Sequence, residues 1–184
     1  MNRPATLLVL LLAGLLAGCG GGSRPTGIRA AETPADDVAE YQPRWRSHTV
    51  DSTQYRKVFL AGTIDMGRSA DWQAALVARF RDSIGGRWLF FNPRRREFHA
   101  SPAEMEYQVA WELAHLEAAD LIVMNLLGDS RSPISLLEMG LYARSGKLFV
   151  ACSPDYYRYD NVRITCRRYG VPLYDLSLIH ISEP

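Results

Sequence analysis

The chain has 184 residues, 21 of them Lys or Arg and 20 Asp or Glu, for a formal net charge of +1. That balance gives no support to a nucleic-acid partner. Three cysteines and four histidines, with no cluster at ligand spacing, give none to a metal centre.

The first stretch, "MNRPATLLVLLLAGLLAGC", combines Arg3, an apolar core from Leu7 to Leu16 and small residues before Cys19, the order of an export signal. "LAGC" (16–19) resembles a bacterial lipobox. This implies that residues 1–18 are a lipoprotein signal peptide, cleaved before a lipidated Cys19 that anchors an exported chain to a membrane. Gly20 rather than Asp after the cysteine points to the outer membrane, or the periplasmic face, of a two-membrane bacterium. An uncleaved anchor is the alternative, although the apolar run is short for a spanning helix. Residues 19–55 are rich in Gly, Pro, Ala and charge without apolar period, and read as a flexible tether. At the far end, "LSLIHISEP" (176–184) resembles the translation of a sequencing adapter. The expectation is a non-native tail, with the natural chain continuing differently after about Asp175. Residues 56–175 remain, enough for one compact domain.

In chain order, "KVFLAGT" (57–63), "RWLFFNP" (87–93), "DLIVMNLL" (120–127) and "KLFVACS" (147–153) are short and dense in Val, Ile, Leu or Phe, as strands buried on both faces are. Between the first two, residues 69–84 place Trp72, Leu76 and Phe80 at four-residue spacing, predicting a helix. Residues 101–119 open with Ser101 as a cap, Pro102 in the first turn and Glu104 three residues on. The stretch 133–146 starts with Pro133 and stops at Gly146. A last helix over 159–170 precedes "VPLYDL". This alternation predicts a single-domain α/β fold, a doubly wound, flavodoxin-like parallel sheet of about five strands with ligands beyond their carboxyl ends. Cys152 and Cys166 either pair in an exported protein or are buried thiols.

Glu138 is a carboxylate set into the apolar segment "SPISLLEMGLYA", on the helix after the strand 120–127. Glu112 lies on the preceding helix and Asp65 in the loop leaving the first strand, so three carboxylates from separate segments can meet in one crevice. Paired carboxylates at the anomeric carbon of a sugar do definite work: one attacks, the other moves protons of the leaving or incoming group. Arg94, in the basic turn "PRRR" (93–96), opens on the same edge, either as a solvated residue or as an anion contact. Plainer readings stand beside these. Glu138 faces solvent, Glu112 pairs with a surface base, Asp65 caps the turn before Ser69, Trp72 and Trp111 are core, and His115 is a packed or exposed histidine.

"VFLAGTIDMG", "DW", "NPRR", "WELAHLEAADLIV" and "SLLEMGLYA", in this order between about Lys57 and Tyr174, resemble the nucleoside 2-deoxyribosyltransferase-like proteins. The resemblance implies that Glu138, followed by Gly140 and Ala143, is the nucleophile and that Glu112 is the acid beside the nucleobase. It also implies that Gly62 and Asp65 belong to the loop receiving the sugar. The partner is then a small-molecule nucleoside or nucleobase, and no metal or organic cofactor is required. The chain is expected to form a homo-oligomer in which a neighbour supplies an asparagine, for which Asn161 is a loose match.

The chain departs from the pattern where the transferases carry a tyrosine on the first strand, since Phe59 stands there. The acidic base-reading residue falls near Ser132, unless Asp129 replaces it. The implied function is cleavage or transfer of the N-glycosidic bond of (deoxy)nucleosides through Glu138. The alternative is a membrane-tethered nucleoside- or nucleotide-binding or interaction domain without turnover, since an exported enzyme of nucleoside salvage is unexpected.

Overall fold

The computed structural model describes residues 37–84, 86–97, 99 and 101–175. Within them are β1 (Val38–Gln42), β2 (Trp45–Arg46), β3 (Arg56–Gly62), β4 (Trp88–Phe91), β5 (Leu121–Leu126), β6 (Leu148–Cys152) and β7 (Leu173–Tyr174). The helices are α1 (Trp72–Ser83), α2 (Pro102–Ala118), α3 (Pro133–Tyr142) and α4 (Tyr159–Tyr169). The strands form one seven-stranded sheet in the order β2-β1-β4-β3-β5-β6-β7. Every pairing is parallel except β1 with β2.

The apolar runs are continuous because both faces of the sheet are covered. Along β3, Val58 and Leu60 face α1, packing with Trp72, Leu76, Val77 and Phe80. Phe59 and Ala61 face the other way, into a core shared with Leu116 of α2, Met139 of α3, and Val162 and Cys166 of α4. Trp72 is therefore core, and its indole N–H donates to the Thr63 carbonyl at 2.9 Å. Cys152 and Cys166 are free and buried in the α2–α4 core. Burial pushes their thiols up to about 12 and about 11, which suppresses thiolate reactivity.

The sheet has seven strands rather than about five because the domain begins earlier than residue 56. Residues 38–46, read as part of a tether, form β1 and β2, and β1 pairs in parallel with β4, Val38 opposite Trp88. Glu40 conceals this strand from a hydropathy reading. Its carboxylate is buried, but Asn92 Nδ2 donates to it at 2.8 Å and Gln42 Nε2 at 3.2 Å, which offsets the cost of removing it from water. Val50 and Tyr55 also pack against the core. Cys19 lies outside the described residues, as do residues 176–184.

Helix ends obey the capping signals. Ser101 Oγ accepts from Glu104 N at 3.2 Å, with Pro102 in the first turn, and Gly170 closes α4 at φ 68°. The helix α3 stops at Tyr142, short of Gly146, which turns the chain at φ 74°. Lys147 then donates from Nζ to the carbonyls of Leu116, Glu117 and Ala119, satisfying the end of α2.

Candidate active site at the carboxyl edge of the sheet

Three loops meet at the carboxyl edge, after β3, β4 and β5. The first is held by backbone geometry. Gly62 has φ 122°, and a Cβ there would lie 2.1 Å from the Asn125 carbonyl oxygen, so only glycine lets β3 leave the sheet against β5. Thr63 N then donates to that carbonyl at 2.8 Å. Asp65 (φ 47°) and Met66 (φ 55°) continue in the left-handed region, a strained path that the side-chain bond from Ser130 to Asp65 holds in place.

Counting protons sets the direction of a buried hydroxyl chain. Ser130 Oγ donates to Asp65 Oδ1 at 2.9 Å, so its 2.7 Å contact with Ser132 is a bond that Ser132 donates. Ser132 has then used its hydrogen, and its 2.7 Å bond to Thr63 Oγ1 is donated by Thr63, which accepts in turn from Leu127 N at 3.1 Å. The chain runs Thr63 to Ser132 to Ser130 and ends on the Asp65 carboxylate, tying the loop after β3 to the start of α3. Asp65 therefore serves the loop junction, while the cap of α1 is Asp71, whose carboxylate accepts from Ala74 N at 3.0 Å. Composition alone does not reveal this cluster. Its only trace in the sequence is the density of short hydroxyl residues in "AGT" and "GDSRS".

Arg94 is tied into the scaffold. It is buried, and its guanidinium donates to Gln73 Oε1 (3.2 Å), to Ser69 O and Oγ (3.3 and 2.9 Å) and to the Ala70 carbonyl (3.0 Å). The basic turn after β4 thus staples the loop after β3, and the Arg94 guanidinium, offered by the sequence as an anion contact, is engaged here by protein acceptors. Arg95 bonds Glu104, and Arg96 lies over the Trp45 ring at 3.9 Å.

Glu138 is only 8 % exposed, on the inward side of α3 with Ser135 and Met139. Among the described residues its carboxyl has neither an ion pair nor a hydrogen bond. Burial first, and the neighbouring charge of Glu112 second, push its carboxyl up to about 8. Glu112, half-buried on α2, is raised by burial and partly relieved by Gln108, whose Nε2 donates to its Oε1 at 2.7 Å. Glu138 is therefore not solvent-facing and Glu112 is in no salt bridge among the described residues, and the charge of Glu112 reaches Glu138. Where two carboxyls interact, the one that ionises first raises the other.

The surroundings are aromatic. Trp111 stacks on His115 at 4.0 Å and lies 6.3 Å from Phe59, which is fully buried and brings no hydroxyl. His115 donates from Nδ1 to the Trp111 carbonyl at 2.7 Å, and burial lowers its pKa, so it is a packed, neutral histidine. Asp129 is exposed in the loop before α3, beside Ser130. Asn161 is also exposed, and it lines a groove of about 300 Å³ between α3 and α4 with Leu136, Met139 and Gly140. Gln108, which the sequence did not single out, is the one addition to the acid pair. Its signal was the four-residue spacing to Glu112, which places the two side chains together on a helix.

No curated protein matches the chain. A family model described as nucleoside 2-deoxyribosyltransferase like matches residues 55–156, from the entry into β3 to the loop after β6. That span contains the loop of Gly62 and Asp65, Glu112 and Glu138, and it is more than half of the 184 residues. The chain belongs to the nucleoside 2-deoxyribosyltransferase-like family.

Proposed function

We propose that the protein cleaves or transfers the N-glycosidic bond of (deoxy)nucleosides, with Glu138 as nucleophile and Glu112 as the proton donor to the departing base. Family membership supports nucleoside glycosyl transfer in general. The observation that carries the finer reading is a buried carboxylate without counter-charge, beside a second carboxyl, on the helix leaving the carboxyl edge of the sheet. Such a group costs stability in the free protein, and strongly perturbed carboxyls of this kind cluster at functional sites.

Burial leaves the proton on Glu138 at neutral pH; the reactive form is the one in which it has passed to Glu112 and Glu138 is ionised. Glu138 forms a bond to C1′ as the C1′–N bond breaks; the electron pair goes to the base nitrogen, which takes the proton from Glu112. Glu112, now a carboxylate, then removes a proton from a second base or from water as that acceptor displaces Glu138 from the ester. Asp65, held by Ser130, and the exposed Asp129 are proposed on the sugar and base sides. Asn161, exposed on α4, is proposed to serve a neighbouring copy.

A second reading, nucleoside or nucleotide binding without turnover, is favoured by Phe59, a fully buried ring without a hydroxyl packed beside Trp111. Incubation of the chain with a deoxynucleoside, with and without a second base, and chromatography of the products separates the two. Free base alone means hydrolysis and an exchanged nucleoside means transfer. Binding without either product overturns the proposal.

The place of action is proposed from the lipobox-like "LAGC": an exported chain held at a membrane by a lipid on Cys19. Among the described residues no helix is long and apolar enough to cross a membrane.

A further inference from the structure

Gln108 sits one helical turn before Glu112 on α2. Its Nε2 donates to two acceptors, Glu112 Oε1 at 2.7 Å and the Pro93 carbonyl at 3.0 Å. Its Oε1 is buried and has no partner. Which end of an amide is nitrogen is decided by its partners, and here the Pro93 carbonyl decides it. That oxygen is backbone and can only accept, so the reverse orientation would set two acceptors 3.0 Å apart. The NH2 group has two hydrogens, one for each acceptor. An orphaned buried acceptor is unfavourable, and the arrangement tolerates it while keeping both donors where they are.

The consequence falls on Glu112. In this structure its Oε1 accepts from Gln108, which leaves Oε2 as the oxygen for the proton when Glu112 is protonated. Among the described residues, the groups bearing on the acid pair are Gln108 and Glu112 from α2 and Glu138 and Tyr142 from α3. From the turn after β4, Arg94 and Arg95 are committed to Ser69, Ala70 and Glu104. Gln108 is thus the one neighbour in this set that favours a charged Glu112.

We propose that Gln108 is a positioning residue for this reaction: anchored on the Pro93 carbonyl, it holds Glu112 by Oε1, confines its proton to Oε2 and stabilises the carboxylate left when that proton passes to the departing base. This rests on the proposed roles of Glu112 and Glu138. The bond is neutral–neutral while Glu112 is protonated and charge-assisted once it has given up its proton, so it strengthens as the base leaves. Gln108 touches neither the sugar nor the reacting atoms, and its effect reaches them through Glu112 alone.

The test replaces Gln108 in the full chain by methionine, which has similar length and no donor. Carboxyl 13C shifts of glutamate-labelled protein are tracked against pH in wild type, in Gln108→Met and in Glu112→Gln, which assigns the signal. The Glu112 midpoint is expected to rise by about one pH unit in Gln108→Met, as loss of one hydrogen bond to a charged group predicts. In turnover the same variant should lose about 10- to 100-fold in kcat with KM nearly unchanged. Most of the loss should disappear with a nucleoside whose base leaves without protonation, and the alkaline limb of the pH profile should move upward. Gln108→Glu, of the same shape and also without the amide donor, is expected to shift the midpoint in the same direction and serves if Gln108→Met folds poorly. An unmoved Glu112 midpoint, or a loss of kcat equal for good and poor leaving groups, overturns the inference. Wild type without turnover but with the midpoint shift intact would instead remove the enzymatic reading and leave the placement of the proton standing.

Discussion

Glu138 works against the stability of the fold that holds it. Its carboxyl is raised from 4.5 to about 8, so the folded state keeps a proton that the unfolded state has already lost. Linkage gives the sign: the penalty is absent below about pH 4.5, grows as pH rises and levels off above about 8. Glu138→Gln keeps the size and removes the ionisation, and should raise stability at pH 7 by at most about 3 kcal/mol, at about 1.4 kcal/mol per pKa unit. Thermal melts at pH 4 and pH 7 check this. A gain at pH 7 that disappears at pH 4 is expected, and an equal change at both contradicts it. The same substitution should lower turnover by several orders of magnitude. Glu112→Gln should cost about 10²–10⁴-fold, the range of general acid–base catalysis, and less for a good leaving group. At this scale the acids were legible because each stands out from its apolar or helical context. The commitment of Arg94 to Ser69 and Ala70, and the anchoring of Gln108 on Pro93, depend on loops meeting in space, which no local pattern records.

Among the elements, the junction of β3 with β5 carries the most constraint. A Cβ at Gly62 would stand 2.1 Å from a backbone oxygen at φ 122°, and neither atom can yield without breaking the parallel register of Gly62 with Asn125. Gly62→Ala should therefore cost about 3 kcal/mol or more, combining backbone strain with overpacking. Denaturant midpoints measure it, and a loss within about 1 kcal/mol, on the scale of an ordinary surface change, would refute this role for Gly62. Because the hydroxyl chain from Thr63 to Asp65 begins one residue later, the site should loosen with the strand. The strands β3 to β6 were legible as apolar runs because both their faces are buried. The strand β1 was not, since Glu40 and its neighbours read as a polar segment until Asn92 and Gln42 are in place to receive the charge.

At the scale of the whole molecule, α2 exposes Met105, Val109 and Leu113 at four-residue spacing, and α3 exposes Ile134, Leu137 and Leu141. Exposed apolar side chains in such concentration mark an interaction surface. The helices are those that carry Glu112 and Glu138, and we propose that a second copy of the chain covers this face, consistent with Asn161 acting in a neighbour's site. Light scattering on the full chain should give a dimer or larger, and Leu137→Asp should dissociate it. A monomeric wild type that still turns over nucleosides would end the proposal. The proposed anchor is a separate matter of cell fractionation: Cys19→Ser should leave the membrane fraction, and unchanged partitioning would remove it.

Glu138 is proposed to attack the sugar at C1′. A nucleoside carrying fluorine at the 2-position destabilises the oxocarbenium-like transition state and slows release of the ester, so intact mass spectrometry of the wild-type chain should show a covalent adduct. Peptide mapping is predicted to place it on Glu138, with none formed by Glu138→Gln. An adduct on any other residue, or full turnover by Glu138→Gln, would contradict the account.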